Sequence, residues 1–198
     1  MPAKNQTTTR IIACAVFKPA IEYLHLESRY PNLRLTYLPP NLHLKPQVLK
    51  ERLLKEINAA QKRNERGICL YGDCFPGIDD SCQQHGVSKV PGHYCYEMLL
   101  GTERFQRVIE EIAGTYFAER ELILHFEEYC VRPLELFDEE MRKYCFAHYK
   151  RLLYVRQPSD PNLISQAGEV AEFLKLYLDV SDADYSQLDK NLIELIYR

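Results

Sequence analysis

Short apolar segments alternate with amphipathic ones along this chain, and no other feature restricts its fold as strongly. Arg10–Phe17, Leu33–Leu38 and Arg151–Arg156 have the length and composition of buried strands. Pro46 suits the first turn of a helix, and the segment 47–63 carries apolar side chains on one face with charged ones opposite. Strands separated by helices predict an α/β fold, with a mainly parallel sheet flanked by helices.

Other segments extend this pattern, and turn residues separate most of them. Two predicted helices follow one another between about Glu119 and Tyr149, which indicates a helix-rich insertion or lid near 119–149. No linker interrupts the chain, so we predict a single α/β domain over residues 1–198, with 1–9 as a flexible arm. The further predicted elements are strands at 67–71 and 86–90 and helices at 21–30, 94–100, 102–113, 121–131, 139–149 and 160–178.

Charge and hydropathy exclude two classes of partner. The formal net charge is −3, and the lysines and arginines are scattered among carboxylates, so we expect no nucleic-acid binding. No apolar run reaches the roughly 18 residues that a membrane span needs, so we expect no membrane insertion. The polar start lacks the apolar centre of a signal peptide, which predicts a cytoplasmic protein.

Seven cysteines are present, and in a reducing cytoplasm cysteines are metal ligands, catalytic groups or core residues more often than disulfides. No Cys-x-x-Cys pair occurs, so the sequence encodes neither a zinc ribbon nor a standard ferredoxin cluster. A cysteine site in this chain would therefore be assembled by the fold from distant segments.

Cys14, Cys74 and Cys95 each lie near the end of a predicted strand. Cys14 is in the later half of the first strand, Cys74 is in the Gly- and Pro-rich turn after the third, and Cys95 follows the strand at 86–90. Ligands bind beyond the carboxyl ends of parallel strands, so the three thiols predict a site for zinc or an iron–sulfur cluster at that edge. We expect their sulfurs to lie within about 4–7 Å of one another.

Four more residues are candidates for an additional ligand or for a group that hydrogen-bonds to the ligands. His93 lies two residues before Cys95, and His43 lies in the loop before the amphipathic helix, so either imidazole is a candidate fourth ligand. Asp73 and Cys82 are the other two candidates.

Three cysteines are expected to be core residues, because a cysteine inside a strand or helix packs as a small apolar side chain. Cys130 and Cys145 lie on predicted helices, and Cys69 lies inside a strand. Cys69 is also an odd number of residues from Cys74. Since side chains alternate across a strand, we expect Cys69 to point into the core and away from the site.

A set of short motifs marks a family resemblance. The chain resembles, over nearly its whole length, an uncharacterised domain-of-unknown-function family found mostly in methanogenic archaea and anaerobic bacteria. The resemblance implies a role near anaerobic one-carbon or corrinoid metabolism, without an established reaction. The motifs are Ala13-Cys14, Leu42-His43, Tyr71-Gly72-Asp73-Cys74, His93-Tyr94-Cys95, Leu99-Leu100-Gly101-Thr102 and Gly114-Thr115-Tyr116.

The chain also departs from the pattern of that family. Pro91 stands where the family has an arginine, and Tyr94 stands where it has an aspartate. The tryptophan that follows the Gly-Thr-Tyr motif in the family is missing. If the arginine and the aspartate contact the ligands, the substrate or cofactor differs in this protein.

Three functions stay open at this point. The first is a cytoplasmic protein that binds a metal or an iron–sulfur cluster through the three cysteines. The second is a zinc-dependent thiol methyltransferase, or its accessory subunit, in which His93 and Cys95 bind zinc together with Cys14 or Cys74. A chain of this size would then need a corrinoid protein or a methyltransferase subunit as its partner.

The third function is a non-metal scaffold or interaction protein. In that case the cysteines are structural, and acidic helices near Glu127–Glu128 and Asp138–Glu140 meet a partner. Assembly of the chain into a homo-oligomer is compatible with all three functions.

Overall fold

The computed structural model describes residues 7–198, and these residues form two compact units. One unit contains the described residues up to Met98 together with Tyr185–Arg198, and the other contains Leu99–Asp184. Among residues 7–198, no helix is both long and apolar enough to cross a membrane.

The first unit is built on a four-stranded parallel sheet. Its strands lie in the order second, first, third, fourth along the sheet. The elements are β1 (Thr9–Cys14), α1 (Lys18–Tyr23), α2 (Leu26–Arg29), β2 (Leu33–Leu38), α3 (Pro46–Lys62), β3 (Arg66–Leu70), α4 (Ile78–Gln84), β4 (Ser88–Lys89), the boundary helix α5 (Cys95–Leu100) and α10 (Ser186–Tyr197), with 3-10 turns at Ala15–Phe17 and Pro40–Leu44.

The strand β1 lies in the middle of this sheet and has no contact with solvent along its centre. Ile11, Ile12 and Ala13 are fully buried, because β2 and β3 pair with the two edges of β1 and other side chains pack against its faces. The apolar face of α3 covers one face of the sheet through Leu49 and Leu53, which cluster with Ile12. The amphipathic pattern that predicts α3 therefore reflects packing against β1.

The second unit contains a separate three-stranded parallel sheet. Its middle strand is the most buried, since Leu152, Leu153, Tyr154 and Val155 have at most 1% of their surface exposed. The elements in chain order are α6 (Thr102–Glu111), β5 (Thr115–Ala118), α7 (Arg120–Leu124), a π-helical turn at Glu127–Val131, α8 (Glu139–Phe146), β6 (Arg151–Arg156), α9 (Ile164–Leu174) and β7 (Tyr177–Asp182).

The predicted fold class is confirmed, because both sheets are parallel and both are flanked by helices. The strands divide between two sheets, where the sequence pattern indicated one. The helix-rich stretch near 119–149 is also helical in the structure, and Leu122, Phe126 and Phe146 pack it into the core of the second unit. That the whole chain folds as a single domain stays a prediction.

The predicted arm over residues 1–9 is only partly covered by the structure. Residues 1–6 lie outside the described part of the chain. Thr9 begins β1 and is 5% exposed, so the arm was predicted too long at its end. Thr9 is held because its backbone pairs with both Leu33 and Arg66 on the neighbouring strands.

Lys175 ends α9 in the left-handed conformation, with φ of 59°, where glycine is usual. A side chain in this conformation costs about 1 kcal/mol, because its Cβ crowds the backbone. We predict that Lys175→Gly is more stable than Lys175→Ala by about 1 kcal/mol in urea denaturation. Both variants lose the exposed ion pair with Glu139, so this loss cancels. Equal stability of the two variants would contradict the prediction.

Candidate functional site

The order of strands in the first sheet makes the chain connections diverge between the carboxyl ends of β1 and β3. The chain runs from β1 to β2 on one side and then crosses to β3 on the other side of β1. Connections that diverge in this way leave a crevice where α/β proteins commonly bind ligands. Cys14 is the last residue of β1, and Cys74 lies in the turn that follows β3.

Tyr71 lies beside both of these cysteines. Continuing the pairing of Ala13 with Leu70 by one residue brings Tyr71 next to Cys14, and Cys14 and Cys74 pack against the apolar cluster that contains Tyr71. Tyr71 is only 2% exposed, yet its hydroxyl has no hydrogen-bond partner among the described residues. Burial, followed by the neighbouring thiols, raises the pKa of Tyr71, so the hydroxyl keeps its proton.

The thiol of Cys74 is kept neutral by its surroundings. Burial raises its pKa, and the charge of Asp73 raises it further. A neutral thiol is a weak nucleophile, so the environment does not activate Cys74 for covalent catalysis. A metal ion would have to displace the proton when it binds this sulfur.

The turn that carries Cys74 is joined to the segment that leads into Cys95. The backbone N–H of Asp73 donates to the carbonyl oxygen of His93 at 2.7 Å. The backbones approach so closely that a Cβ on Gly72 would lie 2.5 Å from that oxygen. Because Cys95 follows His93 by two residues and begins α5, the two cysteine-bearing segments lie side by side.

A network of charged groups reinforces the contact between these two segments. Asp73 is 2.7 Å from Nδ1 of His93 and 3.1 Å from Nζ of Lys89, which is 9% exposed at its side chain. Lys89 also donates to the carbonyl of Gly92 at 3.2 Å and lies 3.4 Å from Asp79. Hydrogen bonding to His93 lowers the pKa of Asp73, and the same bond raises the pKa of His93.

The segments that carry Cys14, Cys74 and Cys95 lie at the carboxyl edge of the first sheet. Over residues 7–198, no group of three or more His, Cys, Asp or Glu side chains has an arrangement that could hold a metal ion. Cys14, Cys74 and Cys95 are all partly exposed. The convergence of their sulfurs to within ligand distance stays a prediction.

The other candidate ligands differ in where they lie. Asp73 and His93 belong to the charged network. Nδ1 of His43 is 2.7 Å from the carbonyl oxygen of Pro40, within its own turn. Cys82 is buried and hydrogen-bonds to Cys69, which directs this pair into the core.

Cys69 is fully buried, as predicted for a core residue. Cys69 nevertheless belongs to the same apolar cluster as Tyr71. Cys14 and Cys74 pack against this cluster, so Cys69 does not face away from them. The prediction extended the alternation of side chains along the strand as far as Cys74. The alternation does not hold there, because β3 ends at Leu70 and the chain turns at Gly72.

Sequence reasoning assigned no role to three residues of this edge, one of which, Tyr71, appeared only in a family motif. They are Tyr71, Lys89 and Glu97, whose carboxylate accepts the backbone N–H of His93 at 2.8 Å. Glu97 is 8% exposed although it lies on a short helix. A lysine directly before a buried valine was a weak signal for Lys89. Tyr71 becomes visible only when the strands are paired, and Glu97 only when α5 is placed beside the backbone of His93.

Residues 37–192 match a family model described as Protein of unknown function (DUF1638). The chain belongs to this family. The prediction of an uncharacterised family is therefore confirmed, while its taxonomic range and its cysteine motifs stay predictions. Cys74 and Cys95 lie inside the matched range, and Cys14 lies before it. No curated protein and no solved structure matches the chain significantly.

The second sheet of this DUF1638 protein carries acidic groups at its own carboxyl edge. Glu119 follows β5 and is 4% exposed, and its carboxylate caps α7 by accepting two backbone N–H groups. Asp160 follows β6, where it accepts the hydroxyl of Tyr154 at 2.7 Å. Burial raises the pKa of Glu119 to about 7, and the charge of Asp160 adds to the shift.

This buried carboxyl predicts a dependence of stability on pH. The folded state holds a proton on Glu119 between pH 4.5 and about 7, where the unfolded state has released it. The free energy of unfolding should therefore fall as pH rises through this window, by up to about 3 kcal/mol from this group. Glu119→Gln should lose this slope in urea denaturation at several pH values. The exposed control Glu110→Gln should keep it, and equal slopes for both variants would refute the prediction.

Gly72 predicts a second measurable effect. An added Cβ would meet the carbonyl oxygen of His93, so Gly72→Ala should destabilise the protein by about 1–3 kcal/mol. Gly168 in α9 has no atom within 4 Å of the position that a Cβ would take, so Gly168→Ala should stabilise by up to about 1 kcal/mol. Chemical denaturation measures both changes. If Gly72→Ala were as stable as the wild type, the close approach of the two segments would be wrong.

Proposed function

We propose that this protein binds a soft metal ion or an iron–sulfur cluster at the carboxyl edge of its first sheet, through Cys14, Cys74 and Cys95. The observation that carries the proposal is the buried Tyr71 hydroxyl, which has no hydrogen-bond partner among the described residues. This residue lies beside Cys14 and Cys74, between the carboxyl ends of β1 and β3. A buried polar group without a partner is costly, typically about 1–3 kcal/mol, so it favours a polar ligand at this position.

Thiolates suit zinc and iron–sulfur clusters better than hard cations. Binding would have to bring the three sulfurs within ligand distance, since they form no metal-binding group in the described residues. The segment that leads into Cys95 already contacts the turn of Cys74 through His93 and Asp73. A local adjustment of this segment is therefore the movement that the proposal requires.

A specific contact favours the zinc-dependent thiol methyltransferase as a second candidate. Nδ1 of His93 is 2.7 Å from Asp73, and metal-bound histidines commonly donate one ring N–H to a carboxylate while the other nitrogen binds the metal. His93 and Cys95 would then supply two of the zinc ligands. A corrinoid protein would be the expected partner of this activity.

Anaerobic purification followed by cobalt titration tests the proposal. We expect one equivalent of cobalt to bind with a thiolate-to-metal absorption band. Cys14→Ser, Cys74→Ser and Cys95→Ser should each weaken binding more than about tenfold, since even groups behind the ligands contribute about that factor. Affinity should rise with pH, because the buried thiol of Cys74 must lose its proton.

Cys145→Ser is the matched control, because Cys145 is a partly exposed cysteine of the second unit. It should bind cobalt like the wild type, and circular dichroism should verify that all four variants fold. Equal binding by all variants, or a spectrum without a thiolate band, would reject the proposal. Iron with sulfide in the native protein favours a cluster, and zinc alone with methyl transfer from a methylcorrinoid to a thiol favours the second candidate.

A further inference from the structure

A cavity of about 460 Å³ lies at the opposite, amino edge of the first sheet. The starts of β1, β2 and β3 form its floor, through Thr9, Leu33 and Arg66, and the end of α10 forms a wall through Tyr197. A strand of six residues separates this edge from Cys14, which corresponds to roughly 17 Å. The cavity is therefore separate from the cysteine site, and the inference below does not rest on the proposed function.

The lining of this cavity is positively charged, although the protein has a formal net charge of −3. Arg29, Arg66 and Arg198 line it, and no aspartate or glutamate among the described residues does, although Arg198 lies 3.6 Å from Glu194. Such an excess of one charge in a concave site attracts ligands of the opposite charge.

Arg66 is the least compensated of these groups. It donates to the carbonyl oxygen of Leu195 at 2.8 Å, to the hydroxyl of Thr9 at 2.9 Å and to the carbonyl oxygen of Ile196, all of which are neutral. Within residues 7–198 no carboxylate pairs with it, and burial lowers its pKa. The end of α10 supplies about half a negative charge, so part of the positive charge is left for a ligand.

The remaining walls offer aromatic surface and further donors. The rings of Tyr30 and Tyr197 meet edge to face at 5.8 Å, and the guanidinium carbon of Arg29 lies 5.5 Å from the centre of the Tyr30 ring. Arg29 forms an ion pair with Asp189, in which Nη1 of the arginine lies 2.8 Å from Oδ1 of the aspartate. Burial raises the pKa of Tyr30, and its hydroxyl hydrogen-bonds to Tyr197 and Arg29 within this wall.

We propose that this cavity binds a small phosphorylated molecule, with Arg66 and Arg29 on its phosphate and the Tyr30–Tyr197 pair against the rest of it. The volume falls within the range of about 300–1,000 Å³ that small-molecule sites occupy. Arginine forks match phosphate oxygens geometrically. A phosphate carries close to two negative charges at neutral pH, which suits several guanidinium groups better than a single carboxylate.

Isothermal titration calorimetry at low ionic strength, with inorganic phosphate and pyrophosphate as probes, tests this proposal. We expect saturable binding of one equivalent that acetate at the same ionic strength does not reproduce. Arg66→Gln and Arg29→Gln should each weaken binding at least about tenfold, since each removes a charge-assisted contact. Arg29→Gln keeps the test valid if Arg66→Gln fails to fold, because Arg66 also caps α10.

The matched control is Arg52→Gln, which removes the same charge from the exposed face of α3. It should bind both probes like the wild type. The proposal is overturned if neither probe binds, if acetate binds equally well, or if Arg52→Gln weakens binding as much as the two cavity variants do.

Discussion

Parallel pairing of β1 with β2 on one side and β3 on the other determines what the first unit can offer to a ligand. Pairing covers the edges of β1 and packing covers its faces, so Ile11 to Ala13 serve only as core. Chemistry is confined to the two ends of the strand. Cys14 stands at the carboxyl end, beside the crevice, and Thr9 stands at the amino end, where it contacts Arg66. Both proposed sites follow from this one arrangement.

The elements that were predicted correctly are those whose pattern is local. β2 and β6 have the predicted bounds, and α3 differs by one residue at each end, because apolar spacing alone defines them. β7 was missed, because the helix predicted from 160 to 178 covers its first two residues and no element was predicted for the others. A lysine and not a glycine ends α9 in the left-handed conformation, so no glycine in the sequence signalled the end of this helix. The polar residues Asp179 and Ser181 interrupt the apolar pattern by which a strand is recognised.

The sequence could indicate candidate site residues only where it predicts the end of a strand. Cys14 and Cys74 became candidates because strand ends commonly carry ligands, and Asp73 and His93 became candidates because they flank the cysteines. The unpartnered hydroxyl of Tyr71 was not predictable, because it depends on which strands pair and on what covers them. The division of the described strands between two sheets is likewise a long-range property that periodicity does not contain.

The first unit is discontinuous in the chain, and this affects how it is made on a ribosome. Its last helix, α10, follows the whole of the second unit, yet Leu188, Leu192 and Leu195 are buried and Asp189 pairs with Arg29. Domains tend to fold as units during synthesis. Of the two units, the first thus begins to emerge earlier and is completed later, and the partners of its α10 leucines wait without this helix while about 86 residues of the second unit are translated.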